Sequence, residues 1–519
     1  MSSSIKTSSF LSLIALLSFY LWEKTVFIAN EEQQHWYLIV HICVVLILLI
    51  SIKWTFIPSI FQPYLKGLIA VSLFFILFIL WNILFRWYSD SFDFKGNIFR
   101  GIFYGFRAPF YGRLNLKIVL ADYYPLIISS ILFIFLVFRI KWGNNSKWIY
   151  LALLIIGSLL FFSFAWDTSF HKTLMAANCH YKTFSEGLSA FPEWSTFLPA
   201  YTEQMKFLGA HNNHYPPGVL MLMKLNNESF PYLFKILVLI APILSIFPLR
   251  ALLKHFSISN ESINVYIAFY ISSSALLFFP GKAITPLHLP IATTFLYLFV
   301  KSIHNGKIGY ALIAGLILAL YAFLSFSFIV FGFFCFVYLS TLLFYSKIEF
   351  KQIVKPSLTI GVTFVFIYTV IYLFFDFNLI TCFNTALHNE SAQMKITGGD
   401  SLARYFIVSS GNLLAYIGVF APIIIGIYAE RIHSGALRSK TPFVLLIKSV
   451  LLTIIILSFS GGFHLEVERI WIFLTPFVLF VILLYGPVSK MKNLSYIRIA
   501  LTLNIIISVV YSIMIDKCS

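Results

Sequence analysis

Charge is what this chain has least of. Only 11% of its residues are charged, where a soluble domain carries about a quarter. Acids are the scarcer sign, with 20 Asp and Glu against 37 Lys and Arg. No polar stretch is long enough to fold alone as a soluble domain; the longest spans 167–230. There is no low-complexity tract and no internal repeat. The five cysteines, at 43, 179, 335, 382 and 518, form no CxxC pair and no metal-ligand spacing, which argues against a zinc site. Short alternating segments of the β-barrel kind are missing too. No small-residue cleavage site follows the first apolar stretch, Phe10 to Trp22, so it reads as a retained first helix rather than a signal peptide.

What the chain does have is apolar length. It is 60% hydrophobic, with a mean hydropathy of +0.88. Apolar runs of about 17–25 residues recur, each enough for one helical crossing of a bilayer. The expected fold is an all-α polytopic membrane protein with about 13–15 transmembrane helices. Helices are expected near 8–28, 37–57, 64–86, 123–139, 149–166, 231–250, 262–280, 288–303, 308–323, 326–346, 358–376, 408–428, 443–460, 470–486 and 497–515. The run 308–346 is about twice a bilayer span, so it divides near Leu324-Ser325.

The net charge of +17 would point to nucleic acid in a soluble protein. Here the cations sit in short loops, so no nucleic-acid partner is expected. One alternate set of loops is basic throughout: Lys53, Arg139/Lys141/Lys147, Arg250/Lys254, Lys301/Lys307, Lys347/Lys351/Lys355, Arg431/Arg438/Lys440 and Lys490/Lys492. The positive-inside rule makes that set cytoplasmic. The other set, 29–36, 87–122, 167–230, 281–287, 377–407 and 461–469, holds every long loop, most acids and many histidines. This topology puts the N-terminus inside and the C-terminus outside. Two units are expected: an accessory bundle over 1–148 and a working core over 149–519, with outer loops 167–230, 377–407 and 461–469.

Four polar clusters fall on the outer side. Asp167 ends an apolar segment at the interface, where partial desolvation raises a carboxylate's basicity and suits it to general-base work. Asp167-Thr168-Ser169 is also good helix-capping chemistry. The loop after it repeats Phe184, Phe191, Trp194, Phe197, Tyr201 and Phe207, as interfacial helices on a membrane surface would. It closes on His211-Asn-Asn-His214-Tyr-Pro216-Pro217-Gly218, where paired prolines shape a turn and permit a helix start. The apolar run that follows is too short to span. In the second cluster, Lys282 and His288 flank an outer helix end and suit a lipid phosphate, or Lys282 simply snorkels to the interface. The third, 377–407, holds His388, Gly398-Gly399 and Arg404, with His388 on a short helix. The fourth holds His464, Glu466, Glu468 and Arg469 ahead of Trp471; Glu466 and Arg469 share a helical face at i, i+3 and suit an ion pair or a bidentate phosphate grip.

An acid at an outer helix end, a long amphipathic loop and then His-x-Pro-Pro resemble the GT-C superfamily of polytopic glycosyltransferases, notably the protein O-mannosyltransferases and aminoarabinose transferases. The string Glu466-x-x-Arg469-Ile-Trp-x-Phe-x-x-Pro is similar to a segment of bacterial proteins of this kind. The resemblance covers the chain from about 149 onward. It implies a polyprenyl-phosphate sugar donor, with Asp167 as base and His214, Pro216 and Pro217 in the turn. The chain departs from it in two ways: Thr168 stands where many relatives have a second acid, and four helices precede the supposed first catalytic one. Asp90 and Asp93 in the earlier outer loop are therefore alternative bases.

The expected activity is inverting transfer of a sugar from a polyprenyl-phosphate donor to a hydroxyl of a glycan, lipid or protein acceptor. His214, Lys282, His388, Arg404, Glu466 and Arg469 are expected to bind substrate or phosphate. A divalent cation beside Asp167 stays open, without a ligand signature. Two alternatives stand: a transporter or flippase for a lipid-linked substrate, and an O-antigen-ligase-like transferase relying on Arg and His. The expected location is a bacterial inner membrane, with the endoplasmic reticulum second.

Overall fold

The computed structural model describes residues 123–514, leaving out 141, 143–146, 167–172, 175–179, 209–211, 281–282, 346–347, 397–404, 407–408, 411, 414–415, 418–419, 421–423, 425–426, 429–431, 433–434, 461–470 and 486–493. The helices expected at 8–28, 37–57 and 64–86, and with them most of the 1–148 unit, lie outside the described residues.

All regular structure among the described residues is helical. Helices α1 (Tyr124–Arg139) and α2 (Lys147–Phe164) pack on each other. A cap follows, made of α3 (His180–Gly187), α4 (Phe197–Gln204) and α5 (Gly218–Glu228). The bundle resumes with α6 (Leu233–His255), α7 (Asn260–Ile271), α8 (Ser274–Phe278), α9 (His288–Asn305), α10 (Ile308–Leu324), α11 (Ser327–Tyr345) and α12 (Phe350–Phe375). Helix α13 (Leu379–Ile396) returns to the cap; α14 (Pro442–Ser458) and α15 (Leu494–Met514) complete the bundle. Among the described residues, five helices are long and apolar enough to cross a membrane: Lys147–Phe164, Leu233–His255, Thr285–Asn305, Ser327–Tyr345 and Phe350–Phe375.

Connectivity fixes two ends. The cap lies between the end of α2 and the start of α6, so this capped end also holds the start of α9, the end of α10, the start of α11 and the end of α12. At the opposite end the last turns of α6 and α9 meet, with His255 Nε2 and His304 Nδ1 2.9 Å apart. The apolar run 308–346 does divide: Ser325 is extended (φ −162°, ψ 139°) and the chain reverses there. Its hydroxyl accepts the Ser327 N–H, at 3.1 Å.

Two expected helices are not continuous. The run 262–280 breaks at Ser272-Ser273, and α15 supplies the missing partners: Ser508 Oγ donates to the Ser272 carbonyl (3.1 Å) and Asn504 Nδ2 to Ser272 Oγ (3.0 Å). The run 470–486 winds as 3-10 turns around one short α-turn, Thr475–Val478. Such winding frees carbonyls, which is costly in an apolar layer. Three tyrosine hydroxyls add hydrogen bonds to its carbonyls. Tyr416 donates to Trp471 O (3.3 Å), Tyr266 to Pro476 O (2.9 Å) and Tyr428 to Val478 O (2.7 Å). Between 405 and 432 every described position is helical except Phe420.

The large core fills the bundle from α1 to α15. A smaller core joins the cap to the capped-end portions of α10, α12 and α13. Helix α12 shows its outer face to the surroundings, with Leu358, Val362, Val365 and Phe366 exposed, as a lipid-facing helix does. Its other face meets α10 at Gly315, where an added Cβ would lie 2.6 Å from Thr363 Cβ and 2.9 Å from the Ile360 carbonyl. The small residue lets two backbones approach without a hydrophobic driving force between them.

Gly315→Ala is therefore expected to lower thermal stability in detergent by about 1–3 kcal/mol through overpacking. Gly361→Ala, where nothing lies within 4 Å of the new Cβ, is expected to leave it unchanged. Equal melting temperatures for the two variants would refute the close contact.

Candidate functional site at the capped end

The cap is built from its own aromatics. Phe184, Phe191, Phe197 and Tyr201 are buried, with Phe191 stacked on Tyr201 (5.5 Å) and 4.6 Å from Phe197. They pack with Val219, Leu220 and Met223 of α5. This corrects the expectation that the aromatics lie on a membrane surface. Only Trp194 and Phe207 of the six are exposed; the others form a protein core that holds a long loop in one shape.

A buried cation stitches that core. Lys224 Nζ donates to the carbonyls of Phe191 (2.9 Å) and Pro192 (2.8 Å) and sits 2.6 Å from Glu228 Oε1. Glu228 Oε2 also accepts from Trp194 Nε1 (2.6 Å). The Lys224 hydrogen bond, helped by that of Trp194, holds the Glu228 carboxyl below its usual range. Its signal in the sequence is a lysine interrupting an apolar run, with an acid at i+4. Next to it, Asn226 Oδ1 accepts the Phe234 N–H (3.0 Å) and so caps the start of α6, where Tyr232 takes a left-handed φ of 75°.

The His-Tyr-Pro-Pro turn lies on this platform. Asn212–His214 form one 3-10 turn. The Tyr215 carbonyl accepts from Tyr201 Oη (2.8 Å), and the Tyr215 ring meets Phe184 edge-on at 5.2 Å. Burial, then the nearby Cys382 thiol, keeps the Tyr201 hydroxyl well above its ordinary pKa, so it remains a donor. Pro216 and Pro217 are buried, and Pro217 (φ −65°, ψ −23°) leads directly into α5. Gly218 then presses on the end of α10: a Cβ there would lie 2.4 Å from the Phe323 carbonyl. The prolines aim the chain, and the glycine permits the contact.

Helix α13 closes over the turn. Asn378 Oδ1 caps it, accepting from Ile380 N (3.0 Å) and Thr381 N (3.1 Å). Buried Cys382 lies 3.4 Å from Met205 Sδ, and burial pushes its thiol up to about 12. Asn389 Nδ2 donates to the Asn213 carbonyl at 3.1 Å. The expected short helix around His388 is thus an 18-residue one, and it brings exposed His388 and half-buried His214 onto adjoining elements. The role of Asn389 and Asn213 in joining two loops had no sequence signal, because the contact spans 176 residues of chain.

Asp167, Lys282, Arg404, Glu466 and Arg469 lie outside the described residues, as do Asp90 and Asp93. Their described neighbours are informative. Trp166, just before Asp167, packs edge-on against Tyr124 (6.0 Å) and Phe162 (5.8 Å) at the end of α2. The 3-10 turn Thr285–Leu287 packs against Ile472–Leu474. The segments that follow Lys282 and Arg469 in the chain therefore meet, with the Tyr321 ring between His288 (5.7 Å) and Phe473 (6.1 Å). Among the described residues, no three His, Cys, Asp or Glu gather as metal ligands would.

Removing Lys224 strands two carbonyls, whereas removing the Glu228 charge leaves Lys224 its carbonyl partners. Lys224→Met is expected to destabilise the cap by about 1–3 kcal/mol and Glu228→Gln by less, read as faster limited proteolysis within 167–230. The depressed carboxylate pKa makes the Glu228 contribution complete at neutral pH and lost as pH falls through its folded value. Equal protease sensitivity of the two variants would contradict this.

No protein-family model matches the chain, and neither the curated proteins nor the solved structures include a significant match.

Proposed function

We propose that this membrane protein is a glycosyltransferase that moves a sugar from a polyprenyl-phosphate donor to an acceptor hydroxyl at the capped end, with inversion. The observation that supports the reading is the closure of α13 on the His-Tyr-Pro-Pro turn through Asn389 and Asn213. Two polar loops far apart in sequence are thereby held together above an apolar bundle. Glycosyl transfer from a lipid phosphate needs such a place, reachable from lipid and shielded from bulk water.

In this reading Asp167 takes the proton of the acceptor hydroxyl. The acceptor oxygen bonds to the sugar C1 from the face opposite the phosphate. The C1–O bond breaks, and its electron pair leaves on polyprenyl phosphate. Arg469, Lys282 and Arg404 neutralise the charge that develops there, with His214 and His388 donating hydrogen bonds. Glu466 holds Arg469 by the i, i+3 pairing, and Pro216 and Pro217 fix the turn.

A transporter is the second reading, favoured by the break at Ser272-Ser273. Broken helices with polar residues inside the bundle mark many substrate sites in transporters. Here Asn504 and Ser508 satisfy the break internally, which accounts for it as structure.

Asp167→Asn, expressed at the wild-type level, is expected to slow sugar transfer in membranes by roughly 10²–10⁴-fold, the usual worth of a general base. Undiminished turnover would remove Asp167 from the chemistry. If turnover were then lost in Arg469→Ala and His388→Ala, the O-antigen-ligase-like mechanism would replace it.

A further inference from the structure

His288 is 1% exposed, and neither of its ring nitrogens has a hydrogen-bond partner. Leaving a buried imidazole unmet is costly, and native structures rarely tolerate it without a role. One helical turn earlier, Thr285 is also 1% exposed, and its hydroxyl has no partner. The chain is helical from Thr285 into α9, so the two side chains share a face at i, i+3. They stand at the N-terminus of an 18-residue helix, whose dipole favours an anion. The His288 N–H is already spent on the preceding turn, so the side chains rather than the backbone are the free donors. On the other side, the Tyr321 hydroxyl is engaged by Ser327 (3.0 Å) and does not answer the imidazole.

We infer that Thr285 and His288 form the phosphate-binding floor of the site, receiving the phosphate ester of a polyprenyl lipid at the capped end of α9. Thr285 Oγ1 and one imidazole N–H donate to phosphate oxygens. The apolar wall of Tyr321, Phe331 and Phe473 excludes water and strengthens both bonds. This rests on the glycosyl-transfer reading for the identity of the lipid, but the anion site stands on the two unpaired side chains. Wherever the leaving phosphate is held, the sugar C1 lies one bond away, so this floor also sets the position of the donor.

The test measures thermal unfolding of the full-length protein in detergent with polyprenyl phosphate, the uncharged polyprenol and inorganic phosphate. Wild type is expected to be stabilised by polyprenyl phosphate and not by polyprenol. His288→Phe, which removes an unmet polar group from an aromatic pocket, is expected to melt no lower than wild type without ligand and to lose the ligand-induced shift. Thr285→Val keeps the shape and is expected to weaken polyprenyl-phosphate binding at least about tenfold. It carries the test alone if the phenylalanine variant does not fold. A lipid-phosphate shift that survives in both variants overturns the site and leaves the glycosyl-transfer reading standing. A shift with inorganic phosphate alone, lost in the variants, keeps the anion site and overturns the lipid donor. The absence of a shift with either phosphate also overturns the proposal.

Discussion

The whole structure depends on pairing backbone polar groups inside an apolar layer. A regular helix meets this demand by itself, and most of the bundle is regular helix. At two described departures from it, side chains add partners. Ser508 and Asn504 serve the Ser272 break. Three tyrosines serve the 3-10 winding after Trp471. The result is a rigid frame whose capped end can carry irregular loops at fixed positions.

The cap obeys a related rule with a different solution. Its backbone is too irregular to satisfy itself, so one ammonium takes two carbonyls and one tyrosine takes a third. Its aromatics supply an apolar core small enough to need the bundle for support; Ala319, Ala322 and Leu324 of α10 complete it. Cap and bundle are therefore one packed unit at the place where α13 returns. The stitched cap holds His214 beside the helix that carries His388.

The bundle was legible in the sequence because apolar length is a local property. The division at Ser325, the short helix after Pro217 and the span of α9 all followed from it. The breaks were not legible, because a run such as 470–486 is as apolar as a straight helix, and its winding is decided by tyrosines far away in sequence. The cap aromatics misled for a similar reason: Phe and Tyr suit both a membrane surface and a protein core, and the buried Lys224 that decides between them acts through backbone carbonyls. At the site, His214, Pro216, Pro217 and His388 could be found as polar residues in an apolar chain. The Asn389–Asn213 bond and the unmet imidazole of His288 could not, since both exist only after folding.

If the capped end breaks a sugar–phosphate bond, the purified protein in a bilayer must consume its donor. The direct measurement is mass spectrometry of proteoliposomes supplied with a polyprenyl-phosphate sugar and an acceptor hydroxyl. Free polyprenyl phosphate and glycosylated acceptor are expected in equal amounts. Donor recovered intact on the other side of the bilayer, with no polyprenyl phosphate released, would contradict it.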